Sequence, residues 1–311
     1  MIPRGETTRG QTTSRRQKAP HGPERSPIRA AFVALRPRQW VKNLLLFGGI
    51  IFAAEVDDPL KWLQAFAAFA LYCAASSAAY LVNDLRDVEA DRTHPVKHGR
   101  PIARGELRPR IAGALVGALL AVAFALAAWL GSPSVLCLFA FVVLQTAYSI
   151  GLKNVVLIDV LAIAALFVIR AVAGAIAVDV RISPWLLVCT GLLALFLALG
   201  KRRAELLLVE AERTPGRRVL AGYSPAVLDR LLVAVAFATA VVYVLYTLTA
   251  RDSYALVLTV PFVIFGLGRY LHLVRESDRG EEPENVLLGD TPILITVAAW
   301  AALCAAILIQ T

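Results

Sequence analysis

The sequence predicts an all-α integral membrane protein, and three observations carry that expectation. Of its 311 residues, 58% are hydrophobic, and the mean hydropathy is +0.65. Apolar runs of roughly 18 to 25 residues recur along it, each long enough to cross a bilayer at ~1.5 Å per helical residue. Those runs are rich in Ala, Leu, Val and Gly, as suits helices packed closely in lipid, where backbone groups must be satisfied within the helix.

The chain begins with a basic stretch. Residues 1–40 carry nine Lys or Arg against two Glu, which supplies most of the net charge of +9. Residues 1–35 are rich in Pro, Gly, Thr and Arg and lack a hydrophobic period, so a disordered cytoplasmic tail is expected. Such a tail suits anionic lipid better than nucleic acid, and no nucleic-acid partner is expected. Residues 36–311 form the transmembrane domain, with nine predicted spans near 38–55, 60–82, 111–131, 133–150, 154–178, 184–200, 226–249, 253–274 and 290–310. Basic residues gather in the tail and in 84–110, 150–154 and 201–218, whereas the alternate loops are short and poor in positive charge. By the positive-inside rule, the N-terminus and these basic loops face the cytoplasm of a plasma membrane and the C-terminus faces outward. The four cysteines, Cys73, Cys137, Cys189 and Cys304, all fall inside predicted spans at no metal or redox spacing, and read as packing residues.

The most polar stretch is VNDLRDVEADRTHPVKHGRPIARGEL, residues 82–107. Asn83, Asp84, Asp87 and Asp91 follow an apolar segment, so they extend the second span past the membrane surface. On one continuous helix they fall within an arc of about 100°. Acids crowded on one face repel one another unless a cation sits between them. Mg²⁺ relieves that repulsion and favours oxygens shared between carboxylates and substrate phosphates. Asn83 and Asp87, one turn apart, make a natural ligand pair, with Asp84 and Asp91 as further ligands. The rival reading is an exposed helix end with ordinary surface charges. Lys97 and Arg100 follow in a Gly/Pro-punctuated loop and supply donors for phosphate oxygens that a metal leaves uncovered. Metal plus cations around a diphosphate stabilises a leaving group as its bond to carbon breaks.

The pattern N-D-x-x-D-x-x-x-D at Asn83, Asp84, Asp87 and Asp91, followed by Arg100-Pro101-Ile102 and Gly105, resembles the first motif of the UbiA superfamily of intramembrane prenyltransferases. The resemblance implies a nine-helix bundle with a central cavity open to the cytosol. Most members of that superfamily join a polyprenyl group to an aromatic acceptor and carry a second Asp-rich motif after the sixth span. This chain departs there, with LFLALGKRRAEL presenting Lys201, Arg202 and Arg203. A cationic patch suits a substrate bearing a plain phosphate. RPRQWVKN (36–43), YSIGLKN (148–154), IRAVAGAIA and EPENVLLGD (282–290) resemble the branch that moves phosphoribose onto a polyprenyl phosphate for cell-wall arabinan.

That resemblance implies transfer of 5-phosphoribose from phosphoribosyl diphosphate (PRPP) to decaprenyl phosphate, with Mg²⁺ as cofactor and Asp84, Asp87 and Asp91 as catalytic acids. It places a phosphate-binding lysine at Lys42, where a snorkelling anchor beside Trp40 is the plain alternative. Tyr80 is near enough to Asn83 for its hydroxyl to reach a sugar or phosphate oxygen. Tyr148 and Lys153 stand at the turn between spans four and five and, with Lys42, Tyr80 and Lys97, form the expected PRPP set. Arg170 lies inside a span, where an arginine is costly and faces a polar cavity or a paired acid; Asp159 is one candidate partner. Arg100, Arg170, Lys201 and Arg202 form the expected lipid-phosphate set. A phosphate acceptor is already ionised and needs no general base, in keeping with the lack of a well-placed His or Glu pair. The alternative activity is prenyl transfer to an aromatic or quinone precursor; a lipid transporter would explain the spans without the acid face. Membrane lipid is a further partner, and a homo-oligomer is left open.

Overall fold

Proline opens several of the long helices, where its missing N–H is not needed and its fixed φ suits the first turn. Thus α3 (Pro59–Arg86) begins with Pro59, and the Asp58 carboxylate before it accepts from the Leu60 N–H at 2.8 Å. The same residue type enters the first turns of α5 (Pro109–Leu130), α6 (Ser132–Ile150), α8 (Pro184–Glu210) and α9 (Pro225–Thr249). Gly131, at φ 113°, makes the tight connection between α5 and α6. The remaining helices are α1 (Pro27–Ala34), α2 (Gly48–Phe52), α4 (Val88–Thr93), α7 (Ile158–Ala177), α10 (Val260–Glu276) and α11 (Thr291–Gln310). This computed structural model describes residues 25–52, 57–94, 97–181, 183–210, 218–249, 254–276 and 289–310, and no strand occurs among them.

The fold is all-α, and among the described residues eight helices are long and apolar enough to cross a membrane. They match the second to ninth predicted spans. α3 and α7 are central, each with 56% of its span buried, against 17–33% for the other six. The first predicted span, 38–55, takes a different form. It is a 3₁₀ segment, Pro37–Phe47, followed by the five-residue α2. The segment nevertheless runs the length of α3: Arg36 at its start meets Asp84, and Phe47 packs on Trp62, Phe66 and Phe69.

Close backbone contact explains the irregular shape. A Cβ on Gly174 of α7 would lie 2.2 Å from the Leu46 carbonyl oxygen, and one on Gly49 would lie 2.7 Å from Ala175 Cα. Non-helical backbone is tolerated at membrane depth when protein surrounds it, and Asn43, Leu46 and Ile50 are fully buried.

Part of the stretch expected to be disordered, residues 25–35, is instead packed on the bundle and includes α1. Residues 1–24 lie outside the described part. From Arg25 the chain joins the bundle, because Ala30 and Ala34 bury completely and Arg25 bridges to Glu106 at 3.0 Å.

Candidate active site at the polar end of α3

The predicted continuous acidic helix is broken. α3 stops at Arg86, Asp87 adopts φ −96°, ψ 8°, and α4 restarts at Val88. Hydrogen bonds from the Asp87 N–H to the Asn83 carbonyl (3.0 Å) and from the Asp91 N–H to the Asp87 carbonyl (2.8 Å) bridge the bend. The acids then divide into two kinds. Asp84 and Asp91 are buried and held by arginines: Asp84 pairs with Arg36 at 2.5 Å and Arg100 at 3.1 Å, and Asp91 with Arg100 at 2.6 Å. Asn83 and Asp87 are half-buried, and their side-chain oxygens make no hydrogen bond or ion pair among the described residues.

This division bears on metal binding. Among the described residues no three His, Cys, Asp or Glu converge as a metal cage. Mg²⁺ does not require one, since it is commonly held by one or two protein oxygens plus substrate phosphates and water. The unengaged oxygens of Asn83 and Asp87 fit that shell, whereas Asp84 and Asp91 already have guanidinium partners.

Cations surround this end. Arg36 sits in the left-handed region (φ 54°, ψ 62°), a strained conformation for a residue with a side chain. Its guanidinium lies 4.8 Å from the centre of the Tyr80 ring. Gln39 links the neighbours: its Oε1 accepts from Lys42 Nζ at 2.6 Å and from the Tyr80 hydroxyl at 3.3 Å. The Lys97 N–H donates to His94 Nδ1 at 3.3 Å. Partial burial and the Lys97 charge push the His94 ring below its ordinary value, so it stays neutral and accepting at pH 7.

Deeper in the bundle, Arg170 is 6% exposed. Its Nε donates to Asn43 Oδ1 at 2.9 Å, its NH1 to the Leu166 carbonyl at 3.1 Å, and the Phe141 and Phe167 rings lie at 4.8 and 5.3 Å. No carboxylate pairs with it among the described residues. The Tyr72 hydroxyl and Ser76 Oγ are likewise buried without a hydrogen-bond partner there.

Asp159 turns away from Arg170 to a second knot. Arg202 is wholly buried and pairs with Asp159 at 2.5 Å and with Glu205, while its NH2 donates to the Tyr148 hydroxyl at 3.0 Å. Tyr223 completes the knot, donating to Asp159 Oδ1 at 2.6 Å and accepting from the Leu157 N–H at 2.9 Å. Arg203 binds Asp229 at 2.7 Å and the Val274 carbonyl at 2.6 Å. The expected cationic loop is therefore the last turns of α8, with two of its three charges consumed by helix packing. As placed, Arg202 is closed to a lipid phosphate and Tyr148 is bound to it. Lys201 is half-buried, and Lys153 is half-buried with no ion pair among the described residues. Glu282 and Glu284 lie outside the described residues. Asp290 caps α11 through the Ile293 N–H at 3.0 Å and pairs with Arg269 at 3.0 Å.

Sequence reasoning missed Arg36, Gln39 and Asn43. All three stand within RPRQWVKN, and an asparagine entering an apolar run was the available signal.

Comparison with known proteins bears on what this end does. Residues 44–289 match the model of the UbiA prenyltransferase family. The chain belongs to that family. It is 35% identical over 295 residues to a decaprenyl-phosphate phosphoribosyltransferase of Mycolicibacterium smegmatis, covering 90% of this chain and 92% of that one. The protein of that name from Mycobacterium tuberculosis is 36% identical over 281 residues, 86% and 91% of the two chains. In fold, this UbiA-family chain resembles a UbiA homologue of Archaeoglobus fulgidus solved with GPP and Mg²⁺, at TM-score 0.70 and 19% identity, covering 91% of this chain and all of that one. It is a multi-pass membrane protein.

Proposed function

We propose that the chain transfers the 5-phosphoribosyl group of PRPP to decaprenyl phosphate, giving decaprenylphosphoryl-5-phosphoribose and diphosphate for cell-wall arabinan. Near end-to-end similarity to relatives bearing that activity's name supports the reading. The observation at the site that carries it is the division of the acids: Asn83 and Asp87 keep open oxygens, while Arg36 and Arg100 neutralise Asp84 and Asp91 beside them.

Asn83 and Asp87 would hold Mg²⁺, which neutralises a diphosphate leaving group when bound. Lys42, oriented by Gln39, binds further diphosphate oxygens together with Lys97 and Lys153. Tyr80, fixed between Arg36 and Gln39, aligns the sugar. Arg170 has no acid partner among the described residues, so a lipid phosphate is the counter-ion its depth in the bundle calls for; Arg100 and Lys201 hold the same group nearer the surface. The acceptor oxygen bonds to C1 on the face opposite the departing diphosphate, inverting the anomeric centre. It is already ionised, so binding and alignment replace a general base. Arg202 and Tyr148 act by holding α6, α7 and α8 together.

The site and the N-terminal tail face the cytoplasm and, with the 37–52 segment counted as a crossing, the C-terminus lies outside the plasma membrane. The test is purified enzyme with Mg²⁺, labelled PRPP and a polyprenyl phosphate, beside a polyprenyl diphosphate with aromatic acceptors. Labelled lipid from the first pair alone is expected; prenylated aromatic product would overturn the reading.

A further inference from the structure

A groove of about 530 Å³ opens between α9 and α10, lined by Asp229, Arg230, Val233, Ala234, Phe237 and Arg275. Arg230, Val233, Ala234 and Phe237 are spaced i, i+3, i+4 and i+7, so they form one stripe along α9. The stripe is apolar below its first residue and open to lipid, with Phe237 71% exposed and Val233 43%. At ~1.5 Å per residue it runs for roughly 10 Å.

The upper end of the stripe is cationic. Its acid, Asp229, is taken by Arg203 at 2.7 Å, and Arg203 spends another N–H on the Val274 carbonyl. Arg275 lies 3.8 Å from Asp229, beyond hydrogen-bond reach, and its side chain is 44% exposed. Arg230 is exposed and makes no ion pair among the described residues. Among the described residues, one carboxylate therefore faces three guanidiniums, which leaves two positive charges at the groove mouth. The level in the bilayer is set by helix length: 25 residues of α9 span about 37 Å, more than the ~30 Å hydrocarbon layer, so Arg230 in the second turn lies near the headgroups.

We propose that this groove binds one acidic phospholipid of the surrounding bilayer. Arg230 and Arg275 donate to its phosphodiester oxygens, and one acyl chain lies along Val233, Ala234 and Phe237. Guanidinium forks suit phosphate oxygens, and membranes concentrate anionic lipid against such cations. None of its lining residues belongs to the site proposed above, and the groove is independent of that reaction.

The test reads lipid retained by the full chain, by native mass spectrometry after release from phosphatidylcholine nanodiscs doped with phosphatidylglycerol. One tightly held phosphatidylglycerol per chain is expected. Arg230→Gln, and the double variant with Arg275→Gln, should lower its retention by about tenfold, the loss of one to two kcal/mol of charge-assisted contact. Arg108→Gln/Arg110→Gln removes equal charge from exposed positions opening α5 and should leave retention unchanged. Arg230 is exposed, so its single variant tests the site in a folded protein. Equal retention by all variants overturns the proposal, as does preferential retention of phosphatidylcholine. Glycerol 3-phosphate binding as well as the lipid would mark a plain anion site, and preference for decaprenyl phosphate would mark a substrate track; either result overturns it too.

Discussion

Replacing Gly174 by alanine presses on the contact that ties the active-site segment to the bundle. The added Cβ would lie 2.2 Å from the Leu46 oxygen, 2.7 Å from its Cα and 2.8 Å from its carbonyl carbon, where ordinary contact begins near 3.4 Å. All three are backbone atoms, so no side-chain rotation relieves the clash and the segment must retreat by about 1 Å. Overpacking of this kind costs about 1–3 kcal/mol. Leu46 follows Lys42 by four residues and Asn43 by three, so the retreat also moves the lysine proposed to bind phosphate and the Arg170 partner. Misplacement by 1 Å lowers a rate by about 10²-fold. The comparison is Gly117→Ala in α5, where a Cβ meets nothing within 4 Å and helix propensity improves by about 1 kcal/mol. Thermal unfolding in nanodiscs and initial rates with labelled PRPP read both effects. Wild-type stability and rate in Gly174→Ala, or equal damage in Gly117→Ala, would refute the close-contact explanation.

Asp87→Ala and Asn83→Ala should abolish turnover with an unfolding midpoint close to wild type, because neither side chain pairs with another among the described residues. Chelation should stop the wild-type enzyme reversibly, with Mg²⁺ restoring it; an active Asp87→Ala would remove the metal assignment. Arg202→Met leaves the buried Asp159 and the partly buried Glu205 without their shared cation and should cost about 3–5 kcal/mol, measured by unfolding. Lys201→Met should instead raise KM for the lipid acceptor at nearly constant stability, and a reversed pattern would show that the two neighbours' roles are exchanged. Arg170→Met should raise KM for decaprenyl phosphate more than for PRPP; equal increases would place Arg170 in general packing.

The polar end of α3 shows how far linear reading reaches. Asn83, Asp84, Asp87 and Asp91 announce a charged helix end by spacing alone, and the Gly/Pro-punctuated loop announces the cations after it. Spacing treats the four oxygens as equals. The split into two open side chains and two arginine-bound acids arises from Arg36, 48 residues before Asp84, and from Arg100 in the loop that follows α4. The basic run Lys201-Arg202-Arg203 misled for a related reason. Charge density near a helix end resembles a substrate patch, yet Arg202 and Arg203 face Asp159 and Asp229 on neighbouring helices.

By itself the sequence determined the helical class, the places of eight apolar spans and the location of the polar end, because hydropathy and turn chemistry act over a few residues. The tertiary structure decided the shape of the 37–52 segment, the partners of each buried charge and which oxygens stay open. Arg170 and Asn43 meet across 127 residues of chain, and Gly174 admits Leu46 only because α7 packs there. Desolvation penalises an unpaired charge wherever it lies, but only packing determines which distant group relieves it.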